Sequence, residues 1–221
     1  MNKTAIVIGS TGVVGRELIQ QLLDTEQYNS VLSFSRSPLN LDSEVRNQNK
    51  LTEYLVEFDN PEQWQELVSG NDVFCCIGTT LKQAGSKEKQ RQIDLELPSK
   101  FAHIAKQNGA EQFILVSSTG ANPKSNSFYL RLKGKLEQAI INLDFKRTVI
   151  VRPSVIVGKR PDNRLGEKLS IVLLSALKWL PIINKFRPIS GAQVAHSISQ
   201  LAQQNSTSKL IIKELDELFN D

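Results

Sequence analysis

Ser118, Tyr129 and Lys133 are the residues of this chain best placed to do chemistry: a serine closing an apolar run, a tyrosine eleven residues on, and a lysine four beyond that. In SFYLRLKGKLEQAI the apolar residues Leu132, Leu136, Ala139, Ile140 and Leu143 recur at helical spacing. Tyr129 and Lys133 therefore stand at i and i+4 on one helix face. A free tyrosine, with a pKa of about 10, is a poor base at neutral pH. A neighbouring ammonium and the positive charge of an oxidised nicotinamide favour the phenolate, and bringing the pKa near 7 takes about 4 kcal/mol of differential stabilisation. Such a tyrosine can take or give a hydroxyl proton while hydride moves to or from a nicotinamide ring. The serine hydroxyl would hold the substrate oxygen. Ser117 is the alternative to Ser118 in that role. Tyr-x-x-x-Lys arises by chance on many amphipathic helices, so its meaning depends on what positions it.

The N-terminal stretch TAIVIGSTGVVG supplies that context. Ala5 to Ile8 form an apolar run suited to a strand covered on both faces. Gly9, Gly12 and Gly15 follow at G-x-x-G-x-x-G spacing, with Ser10, Thr11, Val13 and Val14 between them. This arrangement gives a tight turn, a close backbone approach to a pyrophosphate, and a helix lying close on its strand. The helix N-terminus offers unpaired N–H groups to phosphate oxygens. Arg36 closes the second strand, 21 positions after Gly15 and with no acid beside it. A guanidinium at that place can pair with a 2′-phosphate, where a carboxylate would accept from a ribose hydroxyl. NADP(H) is thus expected over NAD(H). The fourth strand runs into Gly78 and Thr79, where a glycine again permits close approach to a cofactor.

Strand-like runs alternate with helical ones, which predicts an α/β fold of the Rossmann type: a doubly wound parallel sheet. The strands are expected at 4–9, 31–35, 54–58, 73–77, 112–117 and 147–152. The helices are expected at 13–24, 61–69, 88–107, 126–143, 164–179, 191–204 and 208–219. Asp59 or Asn60 would cap the helix that Pro61 opens. The polar stretch from Thr79 to Gln90 would form a loop over the site or a plain surface connection. The 221 residues fit one domain, with 1–153 as nucleotide-binding core and 154–221 as a small substrate-side segment with terminal helices.

Composition narrows the function classes. Apolar residues make up 40% and charged residues 23%, as in an ordinary globular protein. The net charge of +4 is mild and scattered, with no basic stripe for nucleic acid. Cys75 and Cys76 are adjacent within an apolar run and the two histidines lie far apart, so no metal site is expected. The apolar stretch Leu169 to Ile183 is broken by Lys178 and Pro181 and falls short of a membrane span. With a strand starting almost at Met1, no leader is expected, and the location expected is cytoplasmic. The expected partner is a small-molecule substrate, with a second copy or another protein as the further class.

Taken together, these stretches resemble the short-chain dehydrogenase/reductases of the atypical kind. Within them the chain is most similar to the NADPH-binding Tat-interacting-protein (CC3-type) oxidoreductase-like group and its bacterial relatives. The matching pieces are GSTGVVGREL, FSRSPL, CCIGTTLKQAGS, FILVSSTGANPKSNSFYLRLKGKLE and VIVRPSVIVGKRPDNRLGE. The resemblance implies that residues Gly9 to Gly15 cradle the pyrophosphate, that Arg36 holds the 2′-phosphate, and that Ile77 and Gly78 line the adenosine side. It also implies that Ser118, Tyr129 and Lys133 are catalytic, and that Ile156 and Arg164 lie on the cofactor side. Two departures stand out: Ser37 follows Arg36 where relatives can carry a second arginine, and the 88–107 helix has no evident counterpart of the family's active-site asparagine. The function implied is NADP(H)-dependent oxidation or reduction of a small carbonyl or alcohol. The alternative is a dinucleotide-binding regulatory protein with little turnover. Epimerase or dehydratase chemistry on sugar nucleotides fits less well, because the C-terminal part is short.

Overall fold

The computed structural model describes residues 3–41, 49–158 and 187–218. Seven parallel strands form one sheet in the order β3-β2-β1-β4-β5-β6-β9. They are β1 Lys3–Ile8, β2 Tyr28–Ser35, β3 Leu51–Leu55, β4 Asp72–Cys75, β5 Gln112–Val116, β6 Arg147–Arg152 and β9 Leu210–Glu214. The expected Rossmann-type fold is the one observed. Strand order reverses between β1 and β4, and a crevice at the carboxyl ends of these strands is where such sheets take ligands.

Alternate residues of β1 feed two cores, because successive strand side chains point to opposite faces. Ala5 and Val7 pack with Leu18 and Leu22 of helix α1 (Val13–Asp24) and with Val194 and Ile198 of helix α6 (Gly191–Gln203). Ile6 and Ile8 pack on the other face with Phe34, Trp64, Phe113, Phe101 of helix α4 (Leu97–Gln107) and Leu136 of helix α5 (Phe128–Asn142). Trp64 stacks on Phe101 with ring centroids 5.5 Å apart. Full burial of each such side chain is worth about 1.5–3 kcal/mol.

Several expected boundaries are corrected. The helix expected over 208–219 is instead strand β9 followed by a 3-10 turn, Leu215–Leu218. β6 has an edge left open by β5, and Thr148 to Arg152 pair with Leu210 to Glu214 along it, which outweighs local helix preference. The helix expected over 61–69 is two 3-10 turns, Pro61–Gln63 and Gln65–Leu67, with no capping bond from the Asn60 side chain. The break between them falls at Trp64, which is fully buried. The third strand lies at Leu51–Leu55 rather than 54–58, its register set by pairing of Val31 with Leu51 and Ser35 with Leu55. The polar stretch after β4 is not a plain loop. It forms two helical turns, α2 (Leu81–Ala84) and α3 (Lys87–Arg91), with Thr80 and Ser86 accepting from the Gln83 and Lys89 amides.

The 88–107 helix is real but interrupted by a π-helical turn, Gln92–Glu96. Pro98 explains it. A proline lacks the N–H that would bond to residue 94 and its ring crowds that carbonyl, and a widened turn relieves both. A two-stranded sheet, β7 (Ile156–Val157) with β8 (Ile189–Ser190), leads into α6, whose N-terminus carries a Ser190–Gln193 capping box. The expected helix 164–179 and Arg164 lie outside the described residues.

The turn between β1 and α1 tolerates no side chain at Gly9 or Gly15. Gly9 has φ of +79°, and a Cβ there would stand 2.6 Å from the Cys76 carbonyl carbon. A Cβ on Gly15 would stand 2.2 Å from the Gly9 carbonyl oxygen. Gly15→Ala is therefore expected to cost about 1–3 kcal/mol, read as a clear fall in Tm. An unchanged Tm would show that α1 does not sit this close to the turn.

Candidate functional site

A cleft of about 1360 Å³ opens at the carboxyl edge of the sheet, over the β1–β4 crossover. Pockets for drug-sized ligands run from about 300 to 1,000 Å³, so this one has room for a larger molecule or for two. Of the residues expected from sequence, Thr11, Gly12, Val13, Val14, Arg36, Ile77, Gly78, Thr79, Ser118, Tyr129, Lys133 and Ile156 line it together. Gly9, Ser10 and Gly15 do not. They lie beneath the turn, where Ser10 is buried and accepts a hydrogen bond from the Ser33 hydroxyl at 2.7 Å.

Gly12 is the N-cap residue of α1 and has no side chain to satisfy the first-turn amides, and that turn holds no acidic residue. The helix start thus keeps its N–H groups and positive end open to an anion. Gly78 is exposed on the opposite wall, at the end of β4. A Cβ there would only touch the Lys133 Nζ at 3.6 Å, so the protein's own packing does not demand a glycine. Arg36 stands exposed at the end of β2 on the same cleft. These features fit a dinucleotide.

Hydrogen bonding distinguishes the two serines. Ser117 is buried and donates to Glu137 Oε1 at 2.5 Å. Glu137, itself buried, also takes Nε and a terminal nitrogen of Arg152 at 2.9 and 2.6 Å, and Arg152 reaches on to Glu214. That ion network holds α5 to the ends of β5, β6 and β9, and the paired carboxylates push the Arg152 pKa up. Ser118 is half-buried, and its hydroxyl makes a 3.3 Å bond to the Thr119 carbonyl. Both serines line the cleft, and Ser117 is the one held by a buried carboxylate.

Lys133 is 2% exposed, and its ammonium donates to the Ile77 carbonyl at 3.2 Å. Beside it lies a buried carboxylate that sequence reasoning missed. Asp94, on the π-helical turn, accepts from the Thr79 amide at 2.8 Å and from Gln90 at 3.2 Å. Burial pushes its pKa above the ordinary carboxylate range, and the Lys133 charge and these bonds pull against that without cancelling it. The available signal was Pro98, four residues on, which forces the turn that places Asp94 inside. Lys87 and Phe128 also line the cleft and were not singled out from sequence. Cys76 lines it as well, and burial raises its pKa.

Comparison with known proteins agrees with this architecture. A family model described as NAD(P)H-binding matches residues 9–169. The chain is 35% identical over 210 residues to Protein FMP52, mitochondrial, of Debaryomyces hansenii, covering 92% of this chain and 89% of the relative. It is 32% identical over 208 residues to Protein HTATIP2 of Rattus norvegicus, covering 90% and 85%. The resemblance drawn from the motifs is thereby borne out. Among solved structures, a UDP-N-acetylglucosamine 4-epimerase from Methanobrevibacter ruminantium shares the fold at TM-score 0.71 and 16% identity, covering 96% of this chain and 76% of that one. The expectation of a cytoplasmic location is withdrawn. FMP52 relatives from Debaryomyces hansenii and Candida glabrata carry mitochondrial names, so a strand beginning near Met1 is no guide to compartment. Among the described residues no helix is long and apolar enough to cross a membrane.

Asp94 yields a pH-dependent test. Its folded pKa is raised, so the native state holds its proton where the unfolded chain has lost it, and stability falls as pH rises through that window. Asp94→Asn removes this slope. The Tm of the variant minus that of the native chain should grow more positive as pH rises above about 4, the ordinary carboxylate value. A difference that stays flat or falls would contradict a destabilised carboxylate at this position.

Proposed function

The chain belongs to the NAD(P)H-binding family, and from that premise we propose that it is an NADP(H)-dependent oxidoreductase acting on a small carbonyl or alcohol. One observation carries the reading: the glycine turn that would hold phosphates and the Ser118, Tyr129 and Lys133 side chains that would do chemistry line a single continuous cleft. In this reading residues 1–153 supply the dinucleotide half of one domain and 154–221 the substrate side.

The first-turn amides of α1 take the pyrophosphate, with Thr11 to Val14 around it. Arg36 takes the 2′-phosphate through a charge-assisted pair, which sets the preference for NADP(H). Ile77, Gly78, Thr79 and Ile156 line the bound dinucleotide, and Arg164, outside the described residues, is assigned to the same side on the motif match alone. Bound there, the nicotinamide supplies or accepts hydride. Tyr129 gives its phenolic proton to the carbonyl oxygen as the carbonyl carbon gains hydride, and takes it back in the reverse direction. The Ser118 hydroxyl donates to the same oxygen. Lys133, fixed by the Ile77 carbonyl, places a positive charge one helical turn from the phenol and favours its anionic form after proton transfer.

Purified protein should bind NADPH and oxidise it when a reducible aldehyde or quinone is added. Tyr129→Phe should lower turnover by about 10²–10⁴ while NADPH binding persists. Ser118→Ala should lower kcat by about 10²-fold, whereas Ser117→Ala should cost about 1 kcal/mol of stability through the lost Glu137 bond. Arg36→Ala should weaken NADPH by about 10- to 100-fold and NADH far less. Tight NADPH binding with no turnover on any carbonyl would contradict the oxidoreductase reading and favour a dinucleotide-sensing role.

A further inference from the structure

Among the described residues lining the cleft, the cations are Arg36, Lys87 and Lys133, and none is an aspartate or glutamate. Two of the three have a place in the reading above. Arg36 stands at the end of β2, and Lys133 is buried against the Ile77 carbonyl. Lys87 is left over. It opens α3, whose start is fixed by the Ser86 cap, and its Nζ lies 5.7 Å over the Phe128 ring. Phe128 immediately precedes Tyr129 on α5, and Lys87, Phe128 and Tyr129 all line the cleft. Among the described residues no carboxylate forms an ion pair with it. The other cation against Phe128, Arg131, is already bonded to the Ser125 and Asn126 carbonyls, at 2.5 and 3.2 Å. Exposed apolar side chains also line the cleft, Leu81 at 47% and Val155 at 46%.

We infer that the substrate is an anionic carbonyl compound with an apolar body: the body rests on Leu81, Phe128 and Val155, and a carboxylate or phosphate group sits against Lys87. This rests on the oxidoreductase reading and names its substrate class. A cleft walled by one sign of charge focuses its field and concentrates anions at its mouth. The contact with the Phe128 ring face restrains the flexible lysine over the approach to Tyr129.

The test is calorimetric binding to the NADP⁺-loaded chain, so it does not depend on turnover. The probes are benzaldehyde, 4-formylbenzoate and 4-formylphenyl phosphate. At low ionic strength at least one anion should bind about fivefold more tightly than benzaldehyde, the scale of an exposed ion pair. The advantage should shrink at about 0.5 M salt, where screening is strong. It should vanish in Lys87→Gln and return in Lys87→Arg. The tighter of the two anions tells a carboxylate substrate from a phosphorylated one. Equal binding of all three probes would overturn the inference, as would a preference that survives Lys87→Gln. So would a Lys87→Gln variant that loses NADP⁺ affinity with the probe ratio unchanged, since Lys87 would then serve the dinucleotide. A native chain that retains no NADP⁺ would contradict the oxidoreductase reading itself and carry this inference down with it.

Discussion

The site depends on one buried cation. Lys133 puts its ammonium at the floor of the cleft, 2% exposed, where an unpaired charge would be costly. The Ile77 carbonyl and the nearby Asp94 carboxylate make that burial tolerable. In doing so they tie together three elements far apart in sequence: the end of β4, the π-helical turn before α4, and the middle of α5. Tyr129 lies one turn earlier on α5, so whatever holds Lys133 also sets where the phenol stands. One turn later on the same helix, Glu137 is held by Ser117 and Arg152. The helix is therefore pinned on both sides of its lysine, by a carbonyl on one side and by an ion network on the other.

The second constraint is the absence of a side chain at Gly9 and at Gly15, on either side of the β1–α1 turn. Gly15 lets the start of α1 lie against the Gly9 carbonyl, and Gly9 in turn lies against the Cys76–Ile77 backbone after β4. That closeness is what brings the open amides of α1 into the same cleft as α5. Val13 extends the contact across to the C-terminal part of the chain. Cβ atoms at Gly158 and Gly191 would stand 2.4 and 2.6 Å from its methyl group. The β7–β8 pair and the start of α6 thus close on the N-terminal end of α1.

Much of this was legible in the sequence because it is local. Three glycines at fixed spacing after an apolar run dictate a turn, and an i, i+4 pair on an amphipathic stretch dictates a shared helix face. What was not legible depends on distant partners. LIIKELDEL carries helical spacing as readily as a strand pattern, and only the open edge of β6 selects the strand. The helix read at 61–69 fails because Trp64 is drawn into the aromatic cluster with Phe58 and Phe101, and the chain bends in two short turns to deliver it. Asp94 looks like a helix-surface acid in QIDLELP until the π-helical turn places it inside. Ser117 and Ser118 are indistinguishable until Glu137 claims the first.

The most direct measurement is a crystal structure of the chain grown with NADPH. The expected result is a dinucleotide across the carboxyl edge of the sheet, its pyrophosphate on the amides that follow Gly12, its 2′-phosphate at Arg36 and its nicotinamide between Ser118 and Tyr129. A dinucleotide bound elsewhere, or one seated there with the Tyr129 hydroxyl turned away from the nicotinamide, would contradict the account.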